Sequence, residues 1–145
     1  MEDKGSNPLK ISNFNYIIMY TIYTDGAYSS SRNTGGIGFI ILNDKEQILT
    51  EFCKKYINTT NQRMEQLSVA VALESIKVPS DIIIYSDSAY VVNTYEQNWK
   101  RKCNLDLWER IDKAISKHKS VKFIHVKGHA DNKWNNYVDK LATLV

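Results

Sequence analysis

The chain has 145 residues, 43% of them apolar and 24% charged, which fits one folded domain and excludes a generally disordered protein. Its two cysteines, Cys53 and Cys103, make neither a metal-binding spacing nor a disulfide framework, so a reducing compartment is expected. The N-terminus lacks the apolar core of a signal peptide, and the run Tyr16–Tyr23 is too short to span a bilayer, so the chain reads as soluble and cytoplasmic. The net charge of +3 says little alone.

Residues 1–15 read as a flexible tail and 16–145 as the domain. Tyr16–Thr24 predicts a first strand, apolar on both faces and therefore central in its sheet. The Ser-, Asn- and Gly-rich stretch Tyr28–Gly36 predicts a loop. Gly36–Leu42 and Gln47–Tyr56 predict two strands joined by a turn at Asn43-Asp44-Lys45-Glu46. A helix follows, capped by Thr60 or Asn61, with Met64, Leu67, Val71 and Leu73 as its apolar stripe and Val78-Pro79 as its stop.

Asp81–Ser86 is β-branched and predicts a buried strand; a short helix starts at Ser88. Leu105, Trp108, Ile111 and Ile115 mark an amphipathic helix over Leu105–Lys117, and Val121–His125 a short strand. Asp131 or Asn132 can cap a last helix with a stripe of Trp134, Val138, Leu141 and Val145. The order β-β-β-α-β-α-α-β-α predicts an α/β fold, a mixed sheet with helices packed on its faces.

Four carboxylates stand out in four separate segments. Asp25 follows Ile22-Tyr23-Thr24 and Asp87 follows Ile84-Tyr85-Ser86, both at expected strand ends. Glu65 lies on the first long helix and Asp139 on the last, one turn after Asn135. Ligands collect beyond the carboxyl ends of strands in such sheets, and a hard divalent cation wants oxygen ligands from several elements at once. Four acids brought together repel, so at least one should hold its proton until a cation binds. With these charges neutralised, the rest of the chain is more basic and suits a polyanionic substrate.

The ordered set Thr24-Asp25-Gly26-Ala27, Thr59-Thr60-Asn61-Gln62-Arg63-Met64-Glu65, Ser86-Asp87-Ser88, Val126-Lys127-Gly128-His129 and Asn135 with Asp139 resembles type 1 ribonuclease H. The resemblance runs from about Tyr20 to Leu144. It implies a ribonuclease H-like α/β fold with a five-stranded mixed sheet and helices on both faces. It further implies an endonuclease that hydrolyses the RNA strand of RNA–DNA hybrids with two Mg²⁺ ions, or Mn²⁺ in their place, leaving 5′-phosphate and 3′-hydroxyl ends. Asp25, Glu65, Asp87 and Asp139 would be the metal ligands. His129 would be the family's mobile histidine; its polar loop suits proton transfer. His118 and His125 are read as structural.

The resemblance assigns hybrid contacts to Gly26, Tyr28, Asn61, Gln62 and Asn135, and a DNA phosphate to Thr60. Such polar groups suit the 2′-hydroxyls in the wide minor groove of a hybrid. The chain departs from the family in Asn98-Trp99-Lys100-Arg101-Lys102, which reads as a shortened basic segment. Trp99 would pack on a sugar, and Lys100 and its two basic neighbours would meet phosphates. Ala89 replaces a common glutamine, and Asn58 stands where an arginine often helps hold phosphate. The expected partner is a hybrid, met by a monomer and no membrane. Two rival readings are a non-catalytic hybrid-binding module and a related nuclease or integrase-like enzyme cutting DNA.

Overall fold

The computed structural model describes residues 19–128 and 131–144. Its strands are β1 (Met19–Ser29), β2 (Thr34–Leu42), β3 (Ile48–Ile57), β4 (Asp81–Ser86) and β5 (Ser120–His125); its helices are α1 (Asn61–Ser75), α2 (Ala89–Glu96), α3 (Leu105–Ser116) and α4 (Lys133–Thr143). They form one five-stranded sheet in the order β3-β2-β1-β4-β5. β1, β4 and β5 run parallel, while β2 and β3 are antiparallel additions.

The strands sort their side chains by alternation. Ile22, Phe39, Ile41, Ile82 and Ile84 point to one face, where they pack with Val69, Ala70 and Leu73 of α1 and Trp108 and Ile111 of α3. Ile40 and Leu42 point to the other face and meet Val138 and Leu141 of α4. Helices therefore cover both faces, and among the described residues α4 is the helix that covers the β1–β2 half of its side. Among the described residues no helix is long and apolar enough to cross a membrane.

β1 is the middle strand, as its two-sided apolar pattern predicts. The expected start at Tyr16 lies outside the described residues, as do the tail and the end of the last helical stripe at Val145. The expected loop Tyr28–Gly36 is corrected. β1 and β2 form a hairpin paired out to Ser29↔Thr34, so only residues 30–33 turn. Gly35, one of the glycines that suggested a loop, lies in β2 where the Thr59 and Met64 side chains close down on it. A Cβ on Gly35 would stand 2.7 Å from side-chain carbons of Thr59 and Met64.

Candidate active site

Asp25 does not end its strand, as expected from the sequence; β1 runs on to Ser29. What ends beside it is the parallel pairing. β1 and β4 stay in register through Thr24↔Ser86, so Asp25 and Asp87 are the next residues on two adjacent chains. Beyond Ser86 the β4 backbone turns away into α2, which opens a crevice at this point.

Two glycines let the helices close on that crevice. Gly26 faces α1; a Cβ there would lie 2.5 Å from the backbone nitrogen of Glu65. Gly38, opposite Asp25 in the hairpin, faces α4; a Cβ there would lie 2.7 Å from the Ala142 nitrogen and 2.9 Å from the Val138 carbonyl oxygen. Backbone is the obstacle in both places, so no rotamer change could make room. Helices seated directly on glycine thus bring Glu65 toward Asp87 and Asp139 toward Asp25 from opposite sides of the sheet.

The electrostatics record this convergence. Asp25 is only 6% exposed. Burial, then the charge of Asp87, then Asp139 push its pKa up to about 9, against a single opposing hydrogen bond from its neighbour Gly26 N–H at 2.9 Å. Burial also raises Asp87; a hydrogen bond from Asp25 draws it back, and the charge of Asp139 raises it again. Burial raises Glu65, opposed by a 2.9 Å hydrogen bond from Ser88 and reinforced by Asp87. Among the described residues no three acidic, histidine or cysteine side chains close into a finished cation cage. What they form is an all-oxygen cluster whose pKa values are raised by burial and by mutual repulsion. That donor set and that repulsion fit hard divalent ions, which Asp25, Glu65, Asp87 and Asp139 would hold.

The expected substrate residues fall around the crevice unevenly. Thr60 caps α1, its Oγ1 accepting from Arg63 N–H at 3.1 Å, and Asn61 and Gln62 stand exposed on the first turn. Tyr28 is half-buried beyond Asp25, its hydroxyl 3.4 Å from Asn33 Oδ1. Asn135 is buried in the first turn of α4, whereas Asp139, one turn on, is exposed. Asn58 adopts a left-handed conformation (φ 52°) and accepts a 2.6 Å hydrogen bond from Asn33, tying the β1–β2 turn to the end of β3. His129 lies outside the described residues.

The basic segment needs one correction. Trp99 is 49% exposed, and Lys100 and Lys102 are exposed. Arg101 is not a free phosphate ligand. Its guanidinium makes two hydrogen bonds to Asp112, at 2.6 and 3.0 Å, and lies over the rings of Tyr95 and Trp108. An arginine paired with a carboxylate and stacked on aromatic rings has its charge and its planar face engaged inside the fold.

Three contributors were missed in the sequence. Ser88 holds the Glu65 carboxylate. His125, read as structural, ends β5 beside Ser86 and places Nε2 3.2 Å from the Asp87 carbonyl oxygen. Arg63 binds Asp106 through two hydrogen bonds, at 3.0 and 2.8 Å, locking the first turn of α1 to the start of α3. The strand order alone would have pointed to His125, because it puts the last residue of β5 level with Ser86.

Known proteins agree with this architecture. Residues 18–145 match the RNase H family model. A protein of Acetivibrio thermocellus named Ribonuclease H is 41% identical over 138 residues, covering 85% of this chain and 91% of the relative. One of Clostridium botulinum with the same name is 43% identical over 138 residues, covering 83% and 91%. Among solved structures, LC11-RNase H1 in complex with RNA/DNA hybrid superposes with a TM-score of 0.77 at 22% identity, covering 87% of this chain and 95% of that one. The N-terminal RNase H domain of a Mycobacterium tuberculosis protein gives the same TM-score at 21% identity and coverages of 86% and 91%; both likenesses concern the fold. With a sheet, a crevice and four carboxylates of this arrangement, and with relatives this similar over most of the domain, the chain belongs to the RNase H family.

Proposed function

We propose that the chain is an endonuclease that hydrolyses the RNA strand of RNA–DNA hybrids, leaving 5′-phosphate and 3′-hydroxyl ends. The observation that carries this reading is Asp25, a carboxyl only 6% exposed where the β1–β4 pairing ends, with a pKa that burial and the charges of Asp87 and Asp139 push up to about 9. Buried carboxyls perturbed by neighbouring charges cluster at functional sites.

Asp25, Glu65, Asp87 and Asp139 would hold two Mg²⁺ ions, with Mn²⁺ as a substitute. When bound, the ions supply Lewis acidity at phosphorus and charge neutralisation for the attacking and departing oxygens. The chain's own residues do the rest. Asn61, Gln62 and the backbone at Gly26 orient the hybrid through 2′-hydroxyls, and Tyr28 and Asn135 flank them. Thr60 meets a DNA phosphate, with Trp99 and Lys100 gripping the DNA strand further along. In the reaction one water adds to phosphorus, the bond to the 3′ oxygen breaks, and a proton passes to that oxygen. His129 carries a proton in this exchange. The positioning of reactants and the fixed charges account for most of the rate gain. The protein acts as a monomer in the cytoplasm, consistent with its free, exposed Cys53 and Cys103.

The test is cleavage of end-labelled substrates by purified protein with Mg²⁺, comparing hybrid, duplex DNA and duplex RNA. Only the RNA strand of the hybrid should be cut, and chelator or Asp87→Asn should abolish cutting. An intact hybrid, or equal cutting of duplex DNA, defeats the proposal.

A further inference from the structure

Ser88 sits between two jobs. It is 4% exposed, and its Oγ accepts a hydrogen bond from Val91 N–H at 3.2 Å, which starts α2. A hydroxyl carries one hydrogen and two lone pairs. With the helix amide already donating to it, the hydroxyl hydrogen is free to go elsewhere. Glu65 Oε1 lies 2.9 Å away and accepts it.

The turn that carries Ser88 is itself fixed. Ser88 N–H donates to Ser86 Oγ at 3.0 Å, and Val126 N–H of the β5 exit donates to the Ser86 carbonyl at 2.8 Å. Ser88 also follows Asp87 directly. A rigid, buried hydroxyl covalently adjacent to one acid of the cluster therefore grips the head of another. The backbone end of Glu65 is already fixed against Gly26. The side chain between those two points is left with little freedom, and Oε2 is the oxygen Ser88 does not hold.

We propose that Ser88 is a positioning residue that sets the spacing between Glu65 and Asp87, reserving one oxygen of Glu65 and presenting the other to a divalent cation. The inference rests on the function proposed above. Groups hydrogen-bonded to a ligand carboxylate orient it, and losing one typically costs about 10- to 100-fold in metal affinity or activity.

The experiment compares wild type with Ser88→Ala and Ser88→Thr, and repeats Ser88→Ala in a Glu65→Ala background. The first readout needs no substrate: the Mg²⁺ concentration giving half of the ion's rise in Tm. The second is the split between kcat and KM on hybrid. Ser88→Ala should raise the Mg²⁺ midpoint about 10-fold and lower kcat about 10-fold, with KM for hybrid changed less than about twofold. Ser88→Thr, which keeps the hydroxyl, should stay within about twofold of wild type. In the Glu65→Ala background Ser88→Ala should shift the midpoint no further. If Ser88→Ala lowers Tm but leaves the Mg²⁺ midpoint unchanged, the hydroxyl only caps α2 and the proposal is overturned. A full shift that persists without Glu65 overturns it equally. Should Ser88→Ala fail to fold, Ser88→Cys keeps the volume with only a weak donor and carries the same comparison. Failure of the proposed function shows differently, as wild type that leaves hybrid intact while its Mg²⁺ shift persists.

Discussion

In metal-free protein, Asp25→Asn should stabilise the fold, and the gain should grow with pH. The native Asp25 keeps its proton to about pH 9, while in the unfolded chain the carboxyl ionises around its ordinary 3.8. Between these values the native state binds a proton that the unfolded state releases, so stability falls as pH rises. The stabilising contribution is full below 3.8 and is gone once the pH passes about 9. The full linkage slope is about 1.4 kcal/mol per pH unit, so from pH 4 to pH 8 wild type should lose about 2–5 kcal/mol that the uncharged asparagine does not. Asparagine Oδ1 can still accept from Gly26 N–H, so little else changes. Thermal unfolding in chelator, at intervals from pH 4 to pH 8, should show the variant's Tm advantage widening from near zero to roughly 6–15 °C. Parallel curves for the two proteins would refute the placement of a buried, mutually repelling carboxyl in this crevice.

Mg²⁺ loading at pH 7–8 should release about one proton, because Asp25 must ionise to serve as a ligand; calorimetry in buffers of different ionisation enthalpy reads this directly. Gly38→Ala should cost about 1–3 kcal/mol, since its Cβ meets α4 backbone, and should also slow cleavage because α4 carries Asp139; denaturant unfolding and hybrid assays check both. Lys100→Ala should weaken hybrid binding and reduce the steepness of its salt dependence by about one unit in a log–log plot. Arg101→Ala should instead lower Tm and leave that slope near wild type, since its charge is spent on Asp112, Tyr95 and Trp108.

Much of this arrangement can be read from residue pattern. The β-branched run at Ile82-Ile83-Ile84, the Thr60 cap and the i, i+4 pair Asn135 and Asp139 all lie where periodicity and capping chemistry put them. The hairpin is less legible, because Gly35 and Gly36 look like loop residues until the strand pairing is known and Gly35 is seen packed under Thr59 and Met64. Arg101 reads as a phosphate ligand for a similar reason: it lies outside any helix, and its acidic partner, Asp112, belongs to α3. Ser88 and His125 escaped because their partners are remote in sequence, at Glu65 and the Asp87 carbonyl. Local pattern reports what a residue is; only the tertiary register reports what it faces.

The seating of α4 has a consequence for how the protein is made. Synthesis runs from the N-terminus, so β1, β2 and α1 leave the ribosome long before Lys133–Thr143. Until that segment emerges, Ile40 and Leu42 lack their packing against Val138 and Leu141, and Asp139 is absent from beside Asp25. A nascent or C-terminally clipped chain is therefore incomplete as a nuclease and carries a bare apolar sheet face that invites aggregation or proteolysis. On the function proposed above, arrival of Asp139 and burial of that face are one event, so the chain would become active only as it becomes durable.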